Sequence, residues 1–234
     1  RGDGCDFADL LHRVAAVDGI ERLRFTSPYP VDFSDRVISA MAEIKEVCPC
    51  LHLPVQSGSD AQLTAMRRGY TVGQFRTLVS KLRAAIPNLA LSTDIITGFC
   101  GESEVDFQRT FELMEEIRFD SAFMFKYSDR EGTYAHKKMP DDVPESVKGE
   151  RLQRIIALQE QISGEINGTY VGRQMPVLVE GPSRRPAPDG TIRYYGRTPQ
   201  NKTLIFPEAV PANTLIDIEV ERHTSHTLFG RCVE

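Results

Sequence analysis

No stretch of the 234 residues approaches the ~18 apolar positions that a membrane-spanning helix needs, and the first ten, RGDGCDFADL, have neither the basic start nor the apolar run of a signal peptide. Nothing in the sequence therefore calls for a membrane, and a cytoplasmic location is the expectation. Cysteine is scarce too. The five, at positions 5, 48, 50, 100 and 232, are an odd number and form no disulfide framework, which excludes the stapled secreted class and suits a reducing compartment. Cys48 and Cys50 lack the two-residue gap of zinc sites and thiol redox motifs, so they read as small buried side chains. Internal repeats and low-complexity tracts are also lacking. The chain opens on Arg1, not Met, inside what reads as a loop leading into a helix, so a piece of something longer is expected.

What is present is enough apolar content, 41%, for one large or two smaller cores. Two periodicities alternate through the first two thirds. FADLLHRVAAV puts Leu10, Leu11, Val14 and Val17 on one helical face, with IERLRFTS following as a short strand. The pair recurs as SDRVISAMAEIKEV with LHLPVQ, TVGQFRTLVSKLRAAI with LALSTDII, and EVDFQRTFELMEEI with DSAFMFKYS. Four alternations predict an open parallel sheet of four strands covered by helices. Ser59 before Gln62, Thr71 before Gln74 and Ser103 before Asp106 have the spacing of capping boxes. A long helix from about Pro144 to Asn167, stopping at Gly168, carries a helical stripe of Leu152, Ile155, Ile156, Gln159 and Ile162. After it, short Val-, Ile-, Thr- and Tyr-rich runs broken by Gly, Pro, Asp and Asn predict a small antiparallel barrel. The expected division is 1–168 and 169–234.

Charge divides unevenly. Eight of the 28 Lys and Arg fall in residues 169–234 against seven of the 33 Asp and Glu, leaving +1 there and −6 in residues 1–168. Arg184, Arg185, Arg193, Arg197 and Lys202 lie close in sequence with Tyr194 and Tyr195 among them, a mix that suits phosphate contact and base stacking; a solvated barrel face is the alternative. In parallel sheets ligands bind at the carboxyl ends of strands. Those ends supply Thr26 and Ser27; Gln56, Ser57 and Ser59; Ser92, Asp94, Gly98 and Glu102; and Tyr127, Ser128 and Arg130, an inventory that a nucleoside with an amino-acid tail would fit. Ser59 and Ser103 are explained as helix caps, Glu102 as an acid near a helix start, and His52 as a satisfied core histidine. Asp94, an acid within LSTDII, needs a buried partner or a site.

RFTSPYPVDF, LHLPVQSGSDAQLTAMRRGYT, STDIITGFCGESEVDFQRT, FKYSDREGTYA, VPESVKGERL and GRTPQNKTLIF together resemble the tRNA methylthiotransferases of the MiaB type, within the radical S-adenosylmethionine (SAM) enzymes, from about Ile20 to the end. The resemblance implies the last four β/α units of a partial (β/α) barrel in residues 1–168 and an OB-like TRAM domain for RNA in residues 169–234. It implies SAM held by Gln56, Ser57, Ser92, Asp94 and Gly98, with Tyr127 and Arg130 facing the same cavity. It also implies tRNA, through its anticodon stem-loop, held by Arg193, Tyr194, Arg197, Asn201 and Lys202. The family carries two 4Fe-4S clusters, but the C-x3-C-x-x-C triad is missing here, so the ligands would lie outside this chain and the piece alone would be inactive. Cys100 stands where the family usually has Pro. The implied reaction adds a 2-methylthio group to an isopentenyladenosine beside the anticodon, with an electron donor, in a monomer. Methylthiolation of threonylcarbamoyladenosine or of a ribosomal-protein aspartate, and a non-catalytic RNA-binding role, are the alternatives.

Overall fold

The computed structural model describes residues 5–26, 29–184 and 190–233; Ser27 and Arg185 lie outside them. Helices α1 (Phe7–Ala15), α2 (Asp35–Glu43), α3 (Asp60–Ala65), α4 (Val72–Ala85) and α5 (Glu104–Ile117) alternate with strands β1 (Cys50–His52), β2 (Ala90–Thr97) and β3 (Ser121–Lys126). The strands form a parallel sheet in the order β1-β2-β3, with Cys50 opposite Ala90 and Asp94 opposite Phe123. Thr71 with Gln74 and Ser103 with Asp106 make the expected capping boxes at α4 and α5. Ser59 does not cap α3 with its side chain; its hydroxyl is 2.6 Å from an Asp106 carboxylate oxygen and ties α3 to α5.

The sheet has three hydrogen-bonded strands where four were expected. The segment around Leu23 contributes one parallel bridge to Val47, through Leu23 N donating to Glu46 O and Cys48 N donating to Leu23 O. The ladder stops there because Pro49 has no N–H and the Cys50 N–H donates to Cys48 O at 2.7 Å, closing a tight local turn instead of pairing across. On α1, only Ala8 and Leu11 are buried, while Leu10 and Val17 of the expected apolar face are exposed.

A short α6 (Tyr134–Lys138) precedes the long α7 (Glu145–Gly168), which packs on β3 and α5. Beyond it, β4 (Gln174–Pro182), β5 (Tyr194–Arg197), β6 (Thr203–Phe206), β7 (Leu215–His223) and β8 (Thr227–Cys232) close into a barrel in the order β4-β5-β6-β8-β7. It is mixed where an antiparallel barrel was expected, because β6 and β8 run parallel, Thr203 opposite Thr227, joined through the intervening β7. Two cores result. Phe75, Phe107, Leu91 and Ile95 centre the first, and Val177, Leu204, Phe206, Ile218 and Leu228 the second. Each fully buried side chain of this size contributes about 1.5–3 kcal/mol, so both cores can hold their own elements.

Gly230 marks how tightly the barrel closes. A Cβ there would strike the Glu219 carbonyl on the neighbouring strand. Gly230→Ala should therefore destabilise the barrel by about 3 kcal/mol, the upper range for overpacking against backbone that cannot yield. Urea unfolding monitored by amide exchange in β7 and β8 reads this directly, and a loss below about 0.5 kcal/mol would mean that the strands separate easily.

Candidate functional site

After β1 the chain leaves the ladder at Pro54 and rejoins it at Gln56, whose N–H donates to Asp94 O at 2.8 Å and whose carbonyl accepts from Ile96 N at 2.9 Å. Gln56 takes a left-handed conformation, φ 74, of the kind that costs on the order of 1–3 kcal/mol in a non-glycine residue and is held only by surrounding structure. It lies at the mouth of a cavity of about 370 Å³ at the carboxyl ends of the strands, lined by Gln56, Arg67, Arg68, Phe99, Tyr127 and Tyr134 among others. Phe99 and Tyr127 meet edge to face at 4.9 Å, and the Arg67 guanidinium sits 3.4 Å from the Tyr134 ring centroid. Burial, hydrogen bonding to Cys100 and a 3.2 Å hydrogen bond to Asp129 all push the Tyr127 hydroxyl upward, so it stays protonated. The Arg68 Nε is buried without a partner beside this cavity.

The turn after β2 is built on an ion pair. Glu102 Oε2 accepts from Gly98 N at 2.7 Å and from Arg151 at 2.8 Å, and Arg151 also donates to the Glu102 carbonyl at 3.0 Å. The Glu102 side chain is fully buried and its Oε1 has no partner. Burial raises its pKa, outweighing the Gly98 hydrogen bond and the Arg151 charge. The group thus favours the native state fully below its ordinary pKa of 4.5, and that contribution is lost as the pH rises through the raised folded value. Glu102 is a structural keystone, beyond the helix-dipole role that its position suggested. Gly98, φ +71, packs against Lys148, where a side chain at 98 would collide with the lysine stem. Lys148 is itself buried, paired with Asp141 at 2.5 Å.

The face of the sheet on which Ser92, Asp94 and Ile96 alternate carries a second constellation. His52 Nδ1 is 2.9 Å from Ser92 Oγ, and its Nε2 is 3.3 Å from Asp94 Oδ1. Phe123, 58% exposed, meets the His52 ring edge to face at 5.6 Å. The His52 side chain is 16% exposed and both ring nitrogens have partners, in keeping with the satisfied histidine expected from the sequence. It lines a cleft of about 390 Å³ between the sheet and the barrel, where Ser92, Thr26 and Phe123 meet Arg197, Asn201 and Lys202.

The site residues expected from the sequence therefore fall in different places. Gln56 and Tyr127 share the cavity at the strand ends; Ser92 lines the cleft; and Asp94 lies between them on β2, facing His52. Ser57 is fully buried, its hydroxyl 3.1 Å from that of Thr110, and Gly98 faces α7. Arg130 is exposed on the loop after β3, outside the cavity lining. In the barrel, Tyr194 stacks on Phe206 at 6.4 Å, and the Arg193 guanidinium lies 6.0 Å from the Phe229 ring. Arg197 lies 3.6 Å from Glu180 and donates to Asn201 O, while Lys202 pairs with Asp120 at 2.7 Å. Sequence reasoning placed Gln159 on the inward stripe of α7 but missed the other polar members of that face. Lys148, Arg151, Gln159, Ser163 and Asn167 are all buried, at helical spacing with Ile155 and Ile162 between them. The signal was the polar residues continuing the apolar stripe at three- and four-residue intervals.

The chemistry that SAM needs is present in the strand-end cavity: Arg67 and Arg68 in its lining are cations for a carboxylate, and the aromatic pair Phe99–Tyr127 is an apolar wall for a base. An iron-sulfur cluster does not fit these residues. The five cysteines are scattered between exposed Cys5, buried Cys48 and Cys100, and the barrel's Cys232, and burial pushes the Cys50 thiol up to about 11. Three thiolates cannot converge from such positions. Among the described residues no three His, Cys, Asp or Glu side chains are grouped to hold a metal ion.

Residues 3–114 match the family described as the Radical SAM superfamily. A tRNA-2-methylthio-N6-dimethylallyladenosine synthase from Porphyromonas gingivalis is 47% identical over 97% of this chain and 49% of its own length. One from Myxococcus xanthus is 47% identical over 98% of this chain and 49% of its own. The chain spans about half the length of the curated relatives it matches. Coproporphyrinogen III oxidase (HemN) from Escherichia coli, described as a radical SAM enzyme, aligns with 88% of this chain and 50% of its own at a TM-score of 0.49 and 14% identity. The parallel sheet with polar strand ends and the family match place residues 3–114 in the radical SAM superfamily. Over nearly its whole length the chain is similar to the tRNA-2-methylthio-N6-dimethylallyladenosine synthases.

Proposed function

We propose that the protein containing this chain adds a 2-methylthio group to N6-isopentenyladenosine beside the anticodon of tRNA, working in the cytoplasm as a monomer with an external electron donor. Residues 1–168 act as the SAM-holding part and 169–234 as the RNA-holding part. When bound, one SAM would supply the methyl group, and another, on taking one electron from a reduced cluster held outside this chain, would supply the radical that abstracts hydrogen from the substrate. Gln56 and Tyr127 orient SAM in the strand-end cavity, Arg68 pairs with its carboxylate, and the buried Glu102–Arg151 pair fixes the turn at Gly98 against which it lies. Asp94 lies toward it on β2 and Ser57 supports the turn after Gln56, while Ser92 and Arg130 lie outside that cavity and are assigned no contact with it. Arg193, Tyr194, Arg197 and Asn201 meet the RNA; Lys202 holds the barrel to the sheet beside them. One observation supports this reading above others: alternate residues of β2, Ser92, Asp94 and Ile96, run along one face of the sheet from the cleft beside the barrel to the cavity at the strand ends, which joins the two parts that the reading needs. Expression of the full-length coding sequence in a strain lacking its own enzyme should restore 2-methylthio-N6-isopentenyladenosine to hydrolysed tRNA, read by mass spectrometry. Methylthiolated threonylcarbamoyladenosine would reassign the substrate, and no methylthio nucleoside would refute the proposal.

A further inference from the structure

The outside of the barrel carries a cation stacked on an aromatic ring. Along β5, β6 and β8 the alternate positions Gly196, Leu204, Phe206, Leu228 and Gly230 are buried, so the residues between them face out. Pairing sets four outward residues in one row across the strands: Tyr195 opposite Ile205, Ile205 opposite Phe229, and Phe229 opposite Arg222 on β7. The Arg222 guanidinium lies 3.6 Å from the centre of the Phe229 ring, a distance reached only above the ring face, and the Arg193 guanidinium stands 6.0 Å from the same ring. Phe229 is half-buried beneath its cation, and Arg222 is exposed. Among the described residues Arg222 forms no ion pair, and the two acids that precede it on β7, Glu219 and Glu221, both pair with Arg231 at 3.3 Å. A guanidinium seated on a ring keeps its outer face flat, cationic and weakly hydrated, which is the surface on which an unstacked base lies. Two arginines beside acids that are already neutralised favour a polyanion over a protein segment. The row lies one two-residue step, about 7 Å at strand rise, beyond Arg197 and Thr203 in the cleft, so an RNA strand that meets Arg197 continues onto it. It carries the ligand face of OB-like barrels, their second and third strands, on to β8 and β7.

We propose that the Arg222–Phe229 stack is a further RNA contact of the barrel, which takes the base of an unpaired nucleotide on the guanidinium plane with Arg193 beside the phosphate. The proposal rests on the RNA reading above and adds to it a subsite on β7 and β8. A contact made on the barrel, outside the strand-end cavity, is equal in ground and transition states, so its loss should raise KM and leave kcat unchanged.

The test uses the full-length protein loaded with its clusters and SAM, with tRNA that carries isopentenyladenosine but no methylthio group as probe. Arg222→Ala should weaken tRNA binding and raise KM roughly five- to hundred-fold, the range for one stacked base, with kcat held. Arg222→Lys keeps the charge but not the plane, so the salt slope of binding should match the parent while most of the affinity stays lost. Phe229→Tyr, which keeps the ring under Arg222, should bind as the parent does, and Phe229→Ala, which leaves the barrel core intact, should weaken binding as Arg222→Ala does. Unchanged tRNA binding by Arg222→Ala would leave the row to a protein partner and overturn the proposal, with the RNA reading intact. A fall in kcat in place of the KM change, or full rescue by Arg222→Lys, would overturn it as well. Failure of the parent protein to bind or modify the tRNA would remove both.

Discussion

Glu102→Ala should lower the stability of the α/β part by about 3–5 kcal/mol, the cost of stranding one member of a buried ion pair. Arg151, 6% exposed in its side chain, would keep Glu104 at 3.2 Å and the Glu102 carbonyl, but not the carboxylate that neutralises it from inside. The Gly98 N–H would lose its acceptor as well. At roughly 2–4 °C per kcal/mol for a unit of this size, the melting temperature should fall by about 6–20 °C. Glu102→Gln should cost less, because an amide oxygen can still accept from Gly98, and joining Glu102→Gln with Arg151→Met should recover much of the loss by removing both charges together. Urea titrations with unchanged m-values measure the set. A loss under about 1 kcal/mol for Glu102→Ala would put the pair in the class of exposed ion pairs and remove it as the support of the turn.

That pair also shows where sequence legibility ended. The alternation of helix and strand, the caps at Thr71 and Ser103, and the neighbouring parallel placement of LHLPVQ and LALSTDII were all readable, because local periodicity and capping chemistry act over a few residues. The first strand was over-read: its residues have strand character, but whether a ladder forms depends on the partner, and Pro49 ends it. The parallel β6–β8 contact was hidden for the same reason, since pairing between non-consecutive strands leaves no local mark. At the site, Asp94 stood out as an acid in a strand and does have a specific partner, and His52 was read as satisfied, but that the two face each other across the sheet left no local mark. Gln159 was read into the stripe of α7, but an apolar template discards Lys148, Arg151 and Asn167, the residues that link the sheet to the turn at Gly98 and to the barrel.

Lys202→Met should loosen the barrel from the sheet by about 3 kcal/mol, because Asp120 would be left charged in a contact where the two side chains are only 14% and 11% exposed. Asp120 retains the Leu91 N–H at 3.0 Å, which keeps the cost at the lower end of the range for a broken buried pair. The contact is otherwise built from Arg22 donating to the carbonyls of Arg197 and Pro176, Arg24 donating to Thr198 O, and Asn167 donating to the turn at Thr224, so it weakens without disappearing. A double-mutant cycle with Asp120→Asn separates the possibilities: a coupling of about 2 kcal/mol or more that persists at 1 M salt marks a desolvated pair, whereas a surface pair would show about 0.2–1 kcal/mol and fade as the Debye length shrinks. The functional corollary is specific. Because Asp120 already neutralises the Lys202 ammonium, removing it should leave the salt slope of tRNA binding within half a unit of the parent, where loss of a phosphate contact flattens it by about one. A slope change of one unit or more with negligible coupling to Asp120 would return Lys202 to the RNA-contacting residues and leave the backbone-directed arginines to hold the two parts together.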